Sequence, residues 1–121
     1  MPSSLIVHTV LVCSRHPDLA DVRQRVLEKA GFQVINATDL ISIREACKKH
    51  KIALIMIGYS LPPAEKRRVW HEAHESCYQI PILELYESGK PELMAGNALF
   101  TEEARTPEDF LEAVRKILKA K

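Results

Sequence analysis

The run Ile52-Ala53-Leu54-Ile55-Met56-Ile57 holds six apolar residues with no polar alternation, and Gly58 followed by Pro62-Pro63 closes it. A strand with one wet face alternates polar and apolar residues, whereas a strand covered on both faces does not. The run is therefore predicted to be the central strand of a parallel sheet with helices on both sides. The rest of the chain agrees, since short β-branched runs alternate with amphipathic stretches to give five strand and helix pairs.

The first strand is expected near Leu5 to Cys13. A helix follows from Pro17 or Asp18, with Leu19, Val22, Val26 and Leu27 facing inward and Gly31 as a left-handed cap. Phe32 to Ala37 reads as the second strand, and a helix capped by Asp39 or Ser42 turns Ile43, Ala46, Cys47 and His50 inward. The third helix, about Ala64 to Cys77, buries Val69, Trp70, Ala73 and Cys77. Ile80 to Leu85 is the fourth strand, with Pro81 at its entrance. Glu87 to Pro91 is a loop, Glu92 to Ala95 a short fourth helix, and Ala98 to Thr101 a fifth strand. The last helix has the fullest start signal: Thr106 as cap, Pro107 at the first position, and Glu108 and Asp109 near the positive end of the dipole. Phe110, Leu111, Val114, Ile117 and Leu118 form its buried stripe.

A length of 121 residues suits one domain. Seventeen Lys and Arg against sixteen Asp and Glu leave a net charge of +1, with no overall pull toward nucleic acid or an anionic membrane. No apolar run is long enough to cross a bilayer, and Met1-Pro2-Ser3-Ser4 does not open a signal peptide, so the cytoplasm is the expected compartment. Cys13, Cys47 and Cys77 are odd in number and widely spaced, which argues against a disulfide framework or a zinc knuckle. They read as small buried apolar residues.

Other motifs give no chemistry. His71 and His74 are three apart, where the zinc-protease motif needs four, so His71-Glu72-Ala73-His74-Glu75 reads as a solvated helix face. Glu65-Lys66-Arg67-Arg68 is a small basic cluster without interleaved aromatics, Ser88-Gly89-Lys90 lacks phosphate-loop spacing, and no serine sits in a nucleophile elbow. The chain is expected not to be an enzyme, with no metal and no cofactor.

Five segments, in order, carry a family likeness: Val10 to Leu19, Lys29 to Val34, Ala53 to Pro62, Ile80 to Leu83 and Thr106 to Leu111. Together they resemble the receiver domain of bacterial response regulators, the CheY-like fold, from about Thr9 to Leu118. The resemblance implies a single doubly wound (βα)5 flavodoxin-like α/β domain over 5–121, with 1–4 as a short N-terminal lead. It also implies a parallel five-stranded sheet in the order 2-1-3-4-5, with any site at the carboxyl ends of strands 1, 3, 4 and 5.

Receivers take a phosphoryl group from a partner histidine onto an aspartate beside magnesium, which an acidic pair after strand 1 helps to hold. Here that pair reads Ser14 and Arg15, the acceptor position reads Gly58, the hydroxyl position after strand 4 reads Tyr86, and the lysine ending strand 5 reads Glu103. The resemblance thus implies an atypical, or pseudo-, receiver in two-component signal transduction, with an altered phosphorylation pocket. Its partner would be a protein, either a signalling protein or its own output domain, and not nucleic acid or membrane. A homodimer through the helix 4, strand 5 and helix 5 face is the alternative. The pocket leaves other uses open: phosphate accepted at Ser14, Ser60 or Tyr86, or a small anion held by Arg15, Ser14 and the open backbone at Gly58. Arg15 and Glu103 converge in the family fold, as a salt bridge bracing the loops or as two unconnected exposed charges. Phe100 takes the place of the switch-type aromatic that receivers turn with phosphorylation. It is expected here as a fixed core residue of the edge strand.

Overall fold

The computed structural model describes residues 7–14, 17–58, 61–86, 93, 99–103 and 107–119, without the side chains of 17–20, 99, 102–103 and 107–109. In chain order the elements are β1 (Thr9–Cys13), α1 (Pro17–Lys29), β2 (Gln33–Ala37), α2 (Leu40–Lys49), β3 (Leu54–Ile57), α3 (Pro63–Ser76), β4 (Ile82–Tyr86), β5 (Leu99–Glu103) and α4 (Pro107–Lys119). The short helix expected at Glu92 to Ala95 falls outside the described residues, so α4 is the helix that closes the chain.

All strand pairs are parallel and the sheet runs β2-β1-β3-β4-β5, the order that the resemblance to receiver domains implied. Side chains along a strand point alternately to opposite faces, so each strand supplies two cores. Leu11, Cys13, Ile55, Ile57 and Ile82 meet Ile43 and Ala46 of α2 and Val69 and Ala73 of α3. On the other face Val10, Val12, Leu54, Met56, Leu83 and Leu85 meet Leu27 of α1 and Phe110, Val114 and Ile117 of α4. β3 is buried along its whole length, which is why its sequence shows no alternation.

Local chemistry sets the helix starts. Asp39 accepts from the Ser42 backbone N–H while Ser42 Oγ accepts from the Asp39 N–H, a capping box at α2. The Ser42 backbone hydrogen bond holds the Asp39 carboxyl below its usual pKa. α3 starts with Pro62 as cap and Pro63 in its first turn. Gly31 takes φ +100 after α1, the left-handed conformation its cap position requires.

Two inward assignments need correction. Val22 of α1 is 48% exposed, and Arg23 takes the buried place beside it. His50 is exposed because it lies past the last turn of α2, as its C-cap, whereas Trp70 is half-buried and packs against the core as expected. The cysteines also differ from expectation. Cys47 and Cys77 form a disulfide, with Cα atoms 5.4 Å apart. Each closes one of two consecutive helices packed on the same sheet face, so 30 residues of separation along the chain vanish in space. Cys13 is the free one; burial pushes its thiol pKa up to about 12. Among the described residues no helix is long and apolar enough to cross a membrane.

Candidate functional site at the carboxyl edge of the sheet

The carboxyl ends of the strands gather four of the positions singled out in the sequence. Ser14 follows β1, is buried, and donates its N–H to Ala37 O at 3.3 Å. Gly58 follows β3 and donates to Cys13 O at 2.9 Å. Tyr86 ends β4, half-buried, and pairs in register with Glu103 at the end of β5. Arg15, Ser60 and the Glu103 side chain lie outside the described residues, and with them the Arg15 to Glu103 pairing.

The structure adds a residue that sequence reasoning missed. Arg23 of α1 is 5% exposed, and its guanidinium stands over Gly58. A Cβ at Gly58 would lie 2.8 Å from Arg23 Nη1 and 3.4 Å from Cys13 O. The backbone at Gly58 is therefore not open space for an anion; an arginine fills it. Its sequence signal was spacing. Arg23 lies four residues after Leu19 and before Leu27, on the stripe that packs against the sheet, whereas Val22 lies off it.

A second buried cation lies nearby on the other sheet face. Lys66, in the first turns of α3, is fully buried, and its Nζ donates to Glu84 Oε2 at 2.9 Å and to Leu85 O at 3.0 Å. Glu84 Oε1 accepts from Leu93 N at 3.1 Å, tying the chain beyond β4 back to the strand. The basic cluster Glu65 to Arg68 is thus divided: Arg67 and Arg68 are exposed, and Lys66 is not. His71 pairs with Glu75 at 3.3 Å and His74 stacks on Trp70 with ring centroids 5.0 Å apart. Among the described residues no three His, Cys, Asp or Glu side chains are grouped to hold a metal.

No protein-family model matches the chain. No curated protein matches it either. Solved structures do match over nearly its whole length. A response regulator receiver protein from Sinorhizobium medicae WSM419 superposes with a TM-score of 0.77 at 21% identity, covering 96% of this chain and 98% of its own. A CheY-like response regulator receiver domain protein from Methanospirillum hungatei JF-1 gives 0.76 at 16% identity, covering 95% and 96%. The signal receiver domain of an HD domain-containing protein from Pseudomonas fluorescens Pf-5 gives 0.77 at 12%, covering 95% and 97%. The fold is that of a receiver domain.

On this receiver fold Phe100 departs from expectation, being 43% exposed instead of fixed in the core. β5 is the edge strand, and the buried stripe of α4 joins the core that Val10, Val12, Leu54, Met56, Leu83 and Leu85 form on that sheet face. Phe100 is left at the rim of a cleft of about 290 Å³ between β5 and α4, with Leu83 below it and Glu112 and Lys116 alongside.

Proposed function

We propose that the chain is an atypical, or pseudo-, receiver: a signalling module that binds a protein partner and does not carry a phosphoryl group on aspartate. The observation that supports this most is Arg23 over Gly58. Phosphoryl transfer in receivers needs a carboxylate at the end of the third strand and an acidic pair beside it for the metal. At that edge the described side chains nearest the end of β3 are the Ser14 hydroxyl, the half-buried Tyr86 and the Arg23 guanidinium, and the acceptor position itself is a glycine, which do not supply the carboxylates a hard divalent cation needs. Phosphate on Ser14 is disfavoured by its burial, and a small anion on the Gly58 backbone by the N–H there being already donated to Cys13 O. The module acts by binding, not as an enzyme, and needs no cofactor.

Docking is assigned to the β5 and α4 face, where an aromatic ring stands exposed beside a cleft. Exposed aromatics with a pocket next to them are efficient anchors, because they bury much area at small entropic cost. The partner is another signalling protein or an output domain; a second copy of this chain on the same face is the alternative, which light scattering distinguishes. The central test is incubation with acetyl phosphate and magnesium followed by intact mass. The mass is expected to stay unchanged. A gain of one phosphoryl group would sink the reading, and peptide mapping would then show whether Ser14, Ser60 or Tyr86 carries it.

A further inference from the structure

The last turn of α2 and the C-cap of α3 meet in the Cys47 to Cys77 disulfide. We propose that this bond is a reversible redox clasp between the two helices, opened by a dithiol reductant through Cys47 and read out on the Trp70 side of α3. The inference stands independently of the receiver reading.

Three observations support it. The α2 and α3 interface does not depend on the bond: Ile43, Ala46, Val69 and Ala73 pack in one core, and Arg44 donates to both carboxylate oxygens of Glu72, at 3.1 and 3.3 Å. Disulfides that hold a fold together belong mostly to small domains lacking such a core. Opening the bond therefore leaves the fold standing.

The two cysteines differ in exposure. Cys77 is buried, 6% exposed, whereas Cys47 is half-buried at the margin of the core. A reductant thiolate attacks Cys47 Sγ; the S–S bond breaks, and Cys77 leaves as a thiolate that takes up a proton. The second thiol of the reductant then attacks the mixed disulfide and releases Cys47, so that two electrons pass to the protein and the dithiol leaves as its disulfide. Cys13 does not compete, being buried on the strand with its thiol held protonated.

A path leads from the bond to a surface. Ser76, next to Cys77, donates to Glu72. Glu72 lines a groove of about 720 Å³ with Trp70, His71, Arg67 and Leu40, and Trp70 stacks on His74 within the same turns of α3. Freeing Cys77 loosens the turn that holds Ser76 and His74, and with it the floor of that groove.

The experiment compares the air-oxidised protein, as the full chain, with the same protein reduced by dithiothreitol. Alkylation and mass are expected to find two more reactive thiols after reduction, with far-UV circular dichroism retained and Tm lower by about 10 °C. Trp70 is the single tryptophan, so its emission reports the groove directly, and it is expected to shift on reduction. The Cys47→Ser/Cys77→Ser double variant is expected to show the reduced emission and ignore dithiothreitol. Three thiols in the air-oxidised protein when it is alkylated unfolded, where the bond would leave only Cys13, would overturn the proposal. So would a bond that resists a large excess of dithiothreitol under native conditions, an emission equal in both states, or loss of the fold on reduction. Because the reduced wild type carries the readout, the test survives a double variant that fails to fold.

Discussion

Helix α3 is fastened by two ion pairs of nearly equal length and opposite character. Toward its start, Lys66 meets Glu84 at 2.9 Å with both side chains fully buried; toward its end, Glu72 meets Arg44 at 3.1 Å with side chains 16% and 51% exposed. Distance does not separate them, so environment must. The buried pair has lost its water, and its attraction roughly offsets that loss, so it adds little net stability while being costly to break. The surface pair lost little water, and solvent screens what it gains. The buried pair therefore acts as a geometric lock, holding α3 to β4 and Leu93 to β4 just before Tyr86. The surface pair is adjustable, and it lies on the α2 and α3 side where the disulfide also lies.

The largest effect comes from breaking the lock on one side only. Lys66→Met leaves a buried carboxylate without its cation and is expected to cost about 3–5 kcal/mol in urea unfolding. Changing both partners, Lys66→Met with Glu84→Met, is expected to recover most of that loss, since apolar residues of similar volume fill the site. A single variant no worse than a break in the surface pair would end the distinction between the two ends of α3.

The sequence made the scaffold around these two pairs visible, and neither pair. β3 was legible because an unbroken apolar run of that length, closed by glycine and proline, fits a strand covered on both faces and little else, and the sheet order followed from the resemblance to receiver domains. The strand-end positions Ser14, Gly58, Tyr86 and Glu103 followed from laying that family's motif positions on this chain. The buried cations were not found, because Lys and Arg are almost always exposed and that expectation hid the exceptions. The signal was there for Lys66: Glu84 is a lone carboxylate inside Ile82 to Leu85, and a buried acid calls for a cation. The disulfide had no such signal. Cys47 and Cys77 become neighbours only once α2 and α3 lie side by side, which pair counting and spacing do not contain.

Arg23 sharpens the comparison from the other sheet face, as a buried cation whose guanidinium stands over the backbone of Gly58. Gly58→Ala places a methyl group 2.8 Å from Arg23 Nη1, so the guanidinium must move within a packed edge. The expected cost is about 1 kcal/mol, at the low end for overpacking because the displaced atom ends a flexible side chain. With Arg23→Ala as background the same change is expected to be nearly neutral, and the non-additivity measures the contact. If Gly58→Ala costs the same in both backgrounds, Arg23 does not fill the acceptor position, and the main support for a binding-only receiver goes with it.

The smallest effect belongs to the surface pair, and pH is the means of isolating it. Hydrogen bonds from Arg44, and then from Ser76, hold the Glu72 carboxyl below the usual value of 4.5, against a weaker opposing effect of burial. A carboxyl with a lowered pKa in the folded state contributes stability that is complete above the unfolded value and disappears as pH falls through the folded one. Glu72→Gln is therefore expected to lower stability slightly at pH 7, by roughly a fifth of the Lys66→Met loss or less. Its difference from wild type should shrink as the solution is acidified below pH 4.5 and vanish once Glu72 itself is protonated. Added salt should reduce the pH 7 difference as well, whereas the Lys66 to Glu84 pair, out of reach of counterions, should not respond. Urea titrations at two salt concentrations and two pH values give both readings. A salt-insensitive Glu72 effect would mean that the surface pair is as well shielded as the buried one, leaving α3 locked at both ends.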